Sequence, residues 1–378
     1  MSSKTPAQVL PPGEFIREEL EARDWSQVEL AQILGKPTQA VNEVLLGKRG
    51  ITPDMALALA EAFGTSAELW MNLETSYRLS LSRGTDSQIA KRAKLYSFAP
   101  VNEMQKRGWI PKGTDSSSVE RAILSFFEVE SLDAQPHFAA AARKATSYAE
   151  TTPSQMAWLY RAKHLAELVE VTATYSKELL RNSLARIRAL AADPQELRHL
   201  PKTLADAGIR LVVIEHLPKT KIDGAAFWLD ADSPVIALSC RYDRVDSIWH
   251  TVTHELAHIW NEDGRDGTVQ IDSSIVGADR VPSSERPASE RKIDEMACSL
   301  LVPPDELNSF IRRVRPMYSK VRIIQFANKI GIHPGIVVGQ LQHREEIGYQ
   351  HSREMLVKVR EILTATALTD GWGYHIDL

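Results

Sequence analysis

Two histidines four residues apart, with a glutamate between them, stand inside an apolar run: residues 250–260 read HTVTHELAHIW. On a helix, residues at that spacing project from one face, so His254 and His258 point the same way. Ile248, Trp249, Val252, Leu256 and Ile259 flank them, which places the helix in a core. Two imidazoles on one helix face suit a single zinc ion, with Glu255 set to reach a water that the ion holds. Zinc lowers the pKa of such a water to about 7, and a carboxylate that takes its proton readies it for attack on a peptide carbonyl. A helix with two coincidental histidines is the competing reading of this segment alone.

A catalytic zinc takes three protein ligands, so a third is required. Downstream, ASERKIDEMACSLLVP begins at Ala288 and reads as a second helix, stopped by Pro303-Pro304. Glu290 and Asp294 share a face of it, while Ile293, Ala297, Leu300 and Leu301 supply the buried side. Glu290 is the expected third ligand, with Glu295 as the competing candidate. Asp294 is expected to orient a ligand histidine from behind. Both carboxylates also suit a solvated helix start, which favours acids.

The surroundings of this motif change character along the chain. Runs at 208–216, 224–230 and 233–239 are short and β-leaning, separated by turn residues. Residues 261–288 form a polar Gly/Ser/Pro stretch, expected to be a flap over the site or a bare connector. Arg241, Tyr242 and Arg244 lie between the last strand and the motif helix, and any of them is a candidate to hold substrate. No oxyanion donor is assignable. Residues 85–200 are alanine-rich and charged with no clear strand, and read as a helical middle.

The N-terminal region carries a different pattern. Residues 26–51 read SQVELAQILGKPTQAVNEVLLGKRGI. Val28, Leu30, Ala31, Ile33 and Leu34 make the apolar face of one helix, ended by Gly35. Val41, Val44 and Leu45 bury the next. That is helix-turn-helix geometry, whose second helix enters a major groove. The outward set is Lys36, Thr38, Gln39, Asn42 and Glu43. Gln and Asn pair with adenine edges and Thr with the thymine methyl, while Lys48 and Arg49 would meet phosphate. Over 14–50, however, the acidic residues Glu14, Glu18, Glu19, Glu21, Asp24, Glu29 and Glu43 outnumber the basic Arg17, Arg23, Lys36, Lys48 and Arg49. Nonspecific affinity for a polyanion should therefore be poor.

Composition narrows the class. The 378 residues are 43% hydrophobic and 25% charged with net charge −4, which excludes a disordered chain and a global basic field. Two cysteines exclude a disulfide framework and a CxxC zinc knuckle. No apolar run reaches membrane-helix length, and the first residues lack a signal peptide's pattern, so a cytoplasmic protein with no membrane partner is expected.

Two resemblances follow from these residues. Residues 11–80 resemble the XRE-type domain of HigA/VapI antitoxins. This implies sequence-specific binding to double-stranded DNA, usually as a homodimer on a palindromic operator, often with autorepression of a toxin operon. Residues 205–345 resemble the ImmA/IrrE family of zinc metallopeptidases, which pairs HExxH with a segment E-x-x-A-D/N-x-F-A-x-x-L-L-x-P. This chain keeps Glu290, Asp294, Ala297, Leu300, Leu301 and Pro303, and departs at Ile293 and Met296. The resemblance implies an endopeptidase that cleaves a repressor protein.

The expected architecture is mainly α with an α+β part. A five-helix helix-turn-helix domain (1–80) precedes a helical middle (81–200). A zincin-like peptidase domain with a small sheet (201–345) and a helical tail (346–378) follow. The expected function is a DNA-binding regulator fused to a zinc endopeptidase, its Zn2+ held by His254, His258 and Glu290, with Glu255 as general base. The alternative is a HigA-like antitoxin or autorepressor in which the zinc-peptidase fold is structural or sensory. A repressor or toxin protein is the expected protein partner.

Overall fold

The computed structural model describes residues 10–376 apart from 83–86, 114, 135, 137, 139–141, 145–150, 268, 278–280 and 282–284. It comprises two units, Met1–Ala90 and Lys91–Leu378.

The first unit has five helices: α1 (Pro12–Arg23), α2 (Gln27–Ile33), α3 (Thr38–Leu45), α4 (Pro53–Phe63) and α5 (Ala67–Ser82). Their ends follow local chemistry. Ser26 and Glu29 form a reciprocal capping box at the start of α2. Thr52 caps α4 through the Met55 N–H, Pro53 occupies its first turn, and Gly64 ends it in the left-handed conformation. Ile16, Leu20, Leu30, Val41, Leu45, Leu59, Phe63 and Trp70 fill one core. Gly13 sits where α1 meets α3: a Cβ there would come within 2.3 Å of the Leu45 carbonyl oxygen. The expected apolar face of α2 holds only in part. Leu30 and Ala31 are buried, but Val28 and Ile33 are about half exposed. At 3.6 residues per turn, Val28 and Ile33 each lie about 110° around the helix from the middle of the Leu30–Ala31 pair, so both turn away from the core.

The second unit is built on a six-stranded mixed sheet of β1 (Ala142–Lys144), β2 (Arg210–Ile214), β3 (Ile222–Trp228), β4 (Pro234–Leu238), β5 (Val269–Ser273) and β6 (Leu368–Asp370), ordered β1-β5-β3-β4-β2-β6. β3 runs antiparallel to both β4 and β5, and the other pairs are parallel. Every residue of β3 and β4 is buried, as a sheet covered on both faces requires. Side chains alternate between the two covers. Leu211, Val213, Ala226, Ile236 and Leu238 join one core with the motif helix, while Val212, Ile214, Ala225, Phe227, Val235, Val269 and Ile271 join the other.

The helices of this unit are α6 (Ser87–Phe98), in which the unit boundary falls, α7 (Val101–Lys106), α8 (Ser116–Phe126), α9 (Pro153–Leu168), α10 (Lys177–Ala189) and α11 (Leu200–Ala205). After the sheet has begun come the motif helix α12 (Val245–Trp260), α13 (Ala288–Leu301), α14 (Pro304–Val314), α15 (Lys320–Ile330), α16 (Pro334–His343) and α17 (Arg360–Thr364). No helix among the described residues is long and apolar enough to cross a membrane.

Three expectations are corrected here. Residues 81–200 are not a separate body: β1 joins the sheet, and Leu95, Met104, Ile123, Phe127, Trp158 and Leu165 cover its second face. Residues 346–378 are not a purely helical tail, since β6 pairs with β2. The stretch 261–288 is not loop throughout, because β5 lies inside the sheet and Ile275 and Val276 after it are buried. In each case the partner that orders the segment is distant in sequence, so no local period announces it.

Candidate metal centre and nucleic-acid interface

In the second unit, three elements converge on one buried point. α12 supplies His254 and His258, α13 supplies Glu290, and β5 supplies Asp272. The two Nε2 atoms are 3.2 Å apart. Asp272 Oδ2 lies 3.4 Å from the first and 3.5 Å from the second, and Glu290 Oε2 lies 3.7 Å from each. His254, Glu255 and Asp272 are 0% exposed, His258 1% and Glu290 5%. Of the expected residues, the structure therefore brings His254, His258 and Glu290 together, with Glu255 beside them. Glu295, the competing ligand, is absent from the cluster.

Carboxylates sit behind the two histidines. Asp263, just past the end of α12, lies 2.8 Å from His258 Nδ1. Asp294 Oδ1 lies 3.1 Å from His254 Nδ1, a close charge contact without hydrogen-bond alignment, and its other oxygen accepts from Arg286 at 2.6 Å. Asp294 thus stands against the ring nitrogen of His254 that faces away from the cluster. Arg241 and Arg244 are engaged elsewhere, Arg241 with Asp223 and Arg244 with Asp246 and Gln342.

Sequence reasoning missed Asp272, Asp263 and Gly224. Asp272 lies within the stretch read as loop. Its available signal is alternation, because Val269 and Ile271 point into one core and Asp272 to the opposite face. Gly224 pairs with Asp272 next to a register shift between β3 and β5. A Cβ on Gly224 would come within 2.3 Å of Glu255 Oε1, so only glycine leaves space for that carboxylate. A glycine inside a strand pattern marks such an approach.

The electrostatics are those of a buried group of acids around two imidazoles. Burial pushes the Glu255 carboxyl well above its ordinary range, and the Asp272 charge pushes it further. Burial acts the same way on Asp272, but His254 and His258 outweigh it and hold it well below. His258 is raised to about 10: burial opposes this, and its contacts with Asp263 and Asp272 prevail. Among the described residues, both oxygens of Glu255 and of Asp272, together with Glu290 Oε2, lack hydrogen-bond partners. Buried polar atoms are rarely left so. Two imidazoles, several carboxylates and unpartnered oxygens facing one point match the donor set of a divalent cation such as zinc.

In the first unit, Lys36, Thr38, Gln39, Asn42, Lys48 and Arg49 are all exposed. Thr38, Gln39 and Asn42 lie on α3, with Lys36 before it and Lys48 and Arg49 after it. Glu43 is shared between neighbours: Gln39 Nε2 donates to it at 3.1 Å, and Arg49 approaches it at 3.6 Å.

Comparison with known proteins bears on this unit. The family model described as Helix-turn-helix matches residues 16–70. Virulence-associated protein I of Dichelobacter nodosus is 37% identical over 89 residues, covering 23% of this chain and 82% of that protein. The HTH-type transcriptional regulator YddM of Escherichia coli (strain K12) is 31% identical over 74 residues, covering 20% of this chain and 79% of that protein. The chain belongs to the helix-turn-helix family. Among solved structures, an addiction module antidote protein of a HigA family from Coxiella burnetii is 42% identical, covering 20% of this chain and 84% of that one with a TM-score of 0.20. Pseudomonas aeruginosa antitoxin HigA with the higBA promoter is 33% identical, covering 21% of this chain and 99% of that one, also at 0.20. The matched helix-turn-helix residues fall within α1–α5.

Proposed function

We propose that this protein is a DNA-binding transcriptional regulator whose second unit is a zinc-dependent endopeptidase of the ImmA/IrrE type, acting on a repressor-like protein. For the first half of this reading, the support is the exposed polar set on and around α3 in a helix-turn-helix unit whose relatives include HTH-type transcriptional regulators. Gln39 and Asn42 would read base edges, and Lys36, Lys48 and Arg49 would hold phosphates. Binding as a homodimer to a palindromic operator is part of the proposal.

For the second half, one observation carries the reading: Glu255 lies with both oxygens unpartnered among the described residues, beside a buried cluster of His254, His258, Asp272 and Glu290. His254, His258 and Glu290 would hold the zinc. When bound, it would polarise a scissile carbonyl and acidify a water. Glu255 would accept a proton from the attacking water at its carboxylate and return it to the leaving amine nitrogen. Asp263 and Asp294 would hold the two imidazole rings in orientation.

Glu255→Gln separates this from the alternative. The variant should retain about one zinc per chain and lose at least a hundredfold of its cleavage of a quenched-fluorescence peptide library. DNA binding that persists with no cleavage by the wild type would favour the antitoxin or autorepressor reading, for which the complete burial of the cluster is the supporting observation.

A further inference from the structure

Catalytic zinc sites keep a coordination position open, whereas structural ones close all four with protein atoms. We propose that Asp272 is a fourth protein ligand, so that the metal rests in a closed set of two histidines, an aspartate and a glutamate. Strand β5 then carries the residue that must withdraw before a substrate or water reaches the metal. This rests on the assignment of His254, His258 and Glu290 as ligands.

Distances carry the argument first. Tetrahedral zinc with bonds of about 2.0–2.1 Å sets neighbouring ligand atoms about 3.3–3.4 Å apart. The imidazole nitrogens stand 3.2 Å apart, and Asp272 Oδ2 stands 3.4 and 3.5 Å from them. Asp272 fits that tetrahedron more closely than Glu290 does, at 3.7 Å from each nitrogen. Burial is the second observation. Asp272 is 0% exposed, neither of its oxygens has a hydrogen-bond partner among the described residues, and Oδ2 lies within 3.5 Å of both imidazole nitrogens.

The backbone that presents Asp272 is also clamped. Asp272 pairs with Gly224 beside the β3–β5 register shift, and bulges of this kind re-aim side chains next to sites. Immediately downstream, the Ile275 N–H donates to Asp223 Oδ2 at 2.8 Å. Asp223 is itself held by Arg241. Arg286, bound to Asp294, also donates to the Ser274 carbonyl at 3.4 Å. The segment after Asp272 is thus tied to β3 on one side and to the support of His254 on the other.

The test uses the full chain, stripped of metal and loaded with Co2+, whose visible absorption reports coordination. Azide serves as a probe for an open position. Wild type should bind one Co2+ with a spectrum that azide leaves unchanged. Asp272→Asn should still bind one Co2+ but about 10- to 100-fold more weakly, and azide should now shift its spectrum. Azide shifting the wild-type spectrum, or Asp272→Asn binding Co2+ as tightly as wild type, would overturn the proposal. The wild-type azide measurement decides on its own should the variant fail to fold. Wild type that binds no Co2+, or a His254→Ala variant that binds it equally well, would overturn the ligand assignment and this proposal together. An azide-sensitive wild type whose metal depends on His254 would overturn only the role of Asp272.

Discussion

The residues proposed to read DNA lie between Lys36 and Lys48–Arg49, within one helix and its flanks, and all are exposed. Those proposed to hold a metal come from α12, β5 and α13, and none is more than 5% exposed. An exposed local set loses contacts with a partner when altered and costs the fold little. A buried non-local set is part of the core, so the same kind of change removes a ligand and leaves charges without partners. The two units should therefore fail in different ways.

The largest effect should come from His254→Ala. It leaves Asp272 and Glu290 facing His258 alone and takes from Asp294 its imidazole neighbour at 3.1 Å, and removing one partner from a buried charged group costs about 3–5 kcal/mol. Bound metal should fall from near one per chain to near zero, and the second unit should unfold at lower temperature. Operator binding by the first unit should persist. A melting curve and metal content indistinguishable from wild type would break the comparison.

Gly224→Ala comes next. Its Cβ would meet Glu255 Oε1 at 2.3 Å and Thr251 Cγ2 at 2.7 Å, so a core element must shift, at a cost of about 1–3 kcal/mol. Urea unfolding measures this, and an unchanged midpoint would show that the strand yields freely around Glu255. The smallest effect on the fold, with a clear effect on binding, belongs to the first unit. Asn42→Ala should leave stability within about 0.5 kcal/mol of wild type. It should weaken binding to the selected operator by about 1–3 kcal/mol, read by titration against operator and scrambled duplexes. An equal loss on both duplexes would assign Asn42 to phosphate rather than base.

Much of the first unit was legible because its signals are short-range. The Gly35 stop and the buried set Val41, Val44 and Leu45 are each fixed within one or two turns. The same holds for the pairing of His254 with His258 and of Glu290 with Asp294, each set by one helical turn. What failed to show were consequences of distant partners. Val28 and Ile33 are apolar yet half exposed, since their burial depends on which neighbours α2 meets. Ile123 and Leu165 read only as helix, although they cover the second face of a sheet.

The sequence by itself determined the helix termini, the helix-turn-helix unit and the candidate ligand face of α12, because 3.6-residue periodicity and capping act over one or two turns. Only the tertiary structure decided that Asp272 joins that face. Its strand is ordered by β3, nearly fifty residues earlier in the pairing Gly224–Asp272. A carboxylate becomes a ligand when the fold removes water from around it and leaves its oxygens facing nitrogen donors, and that desolvation is a property of packing rather than of spacing.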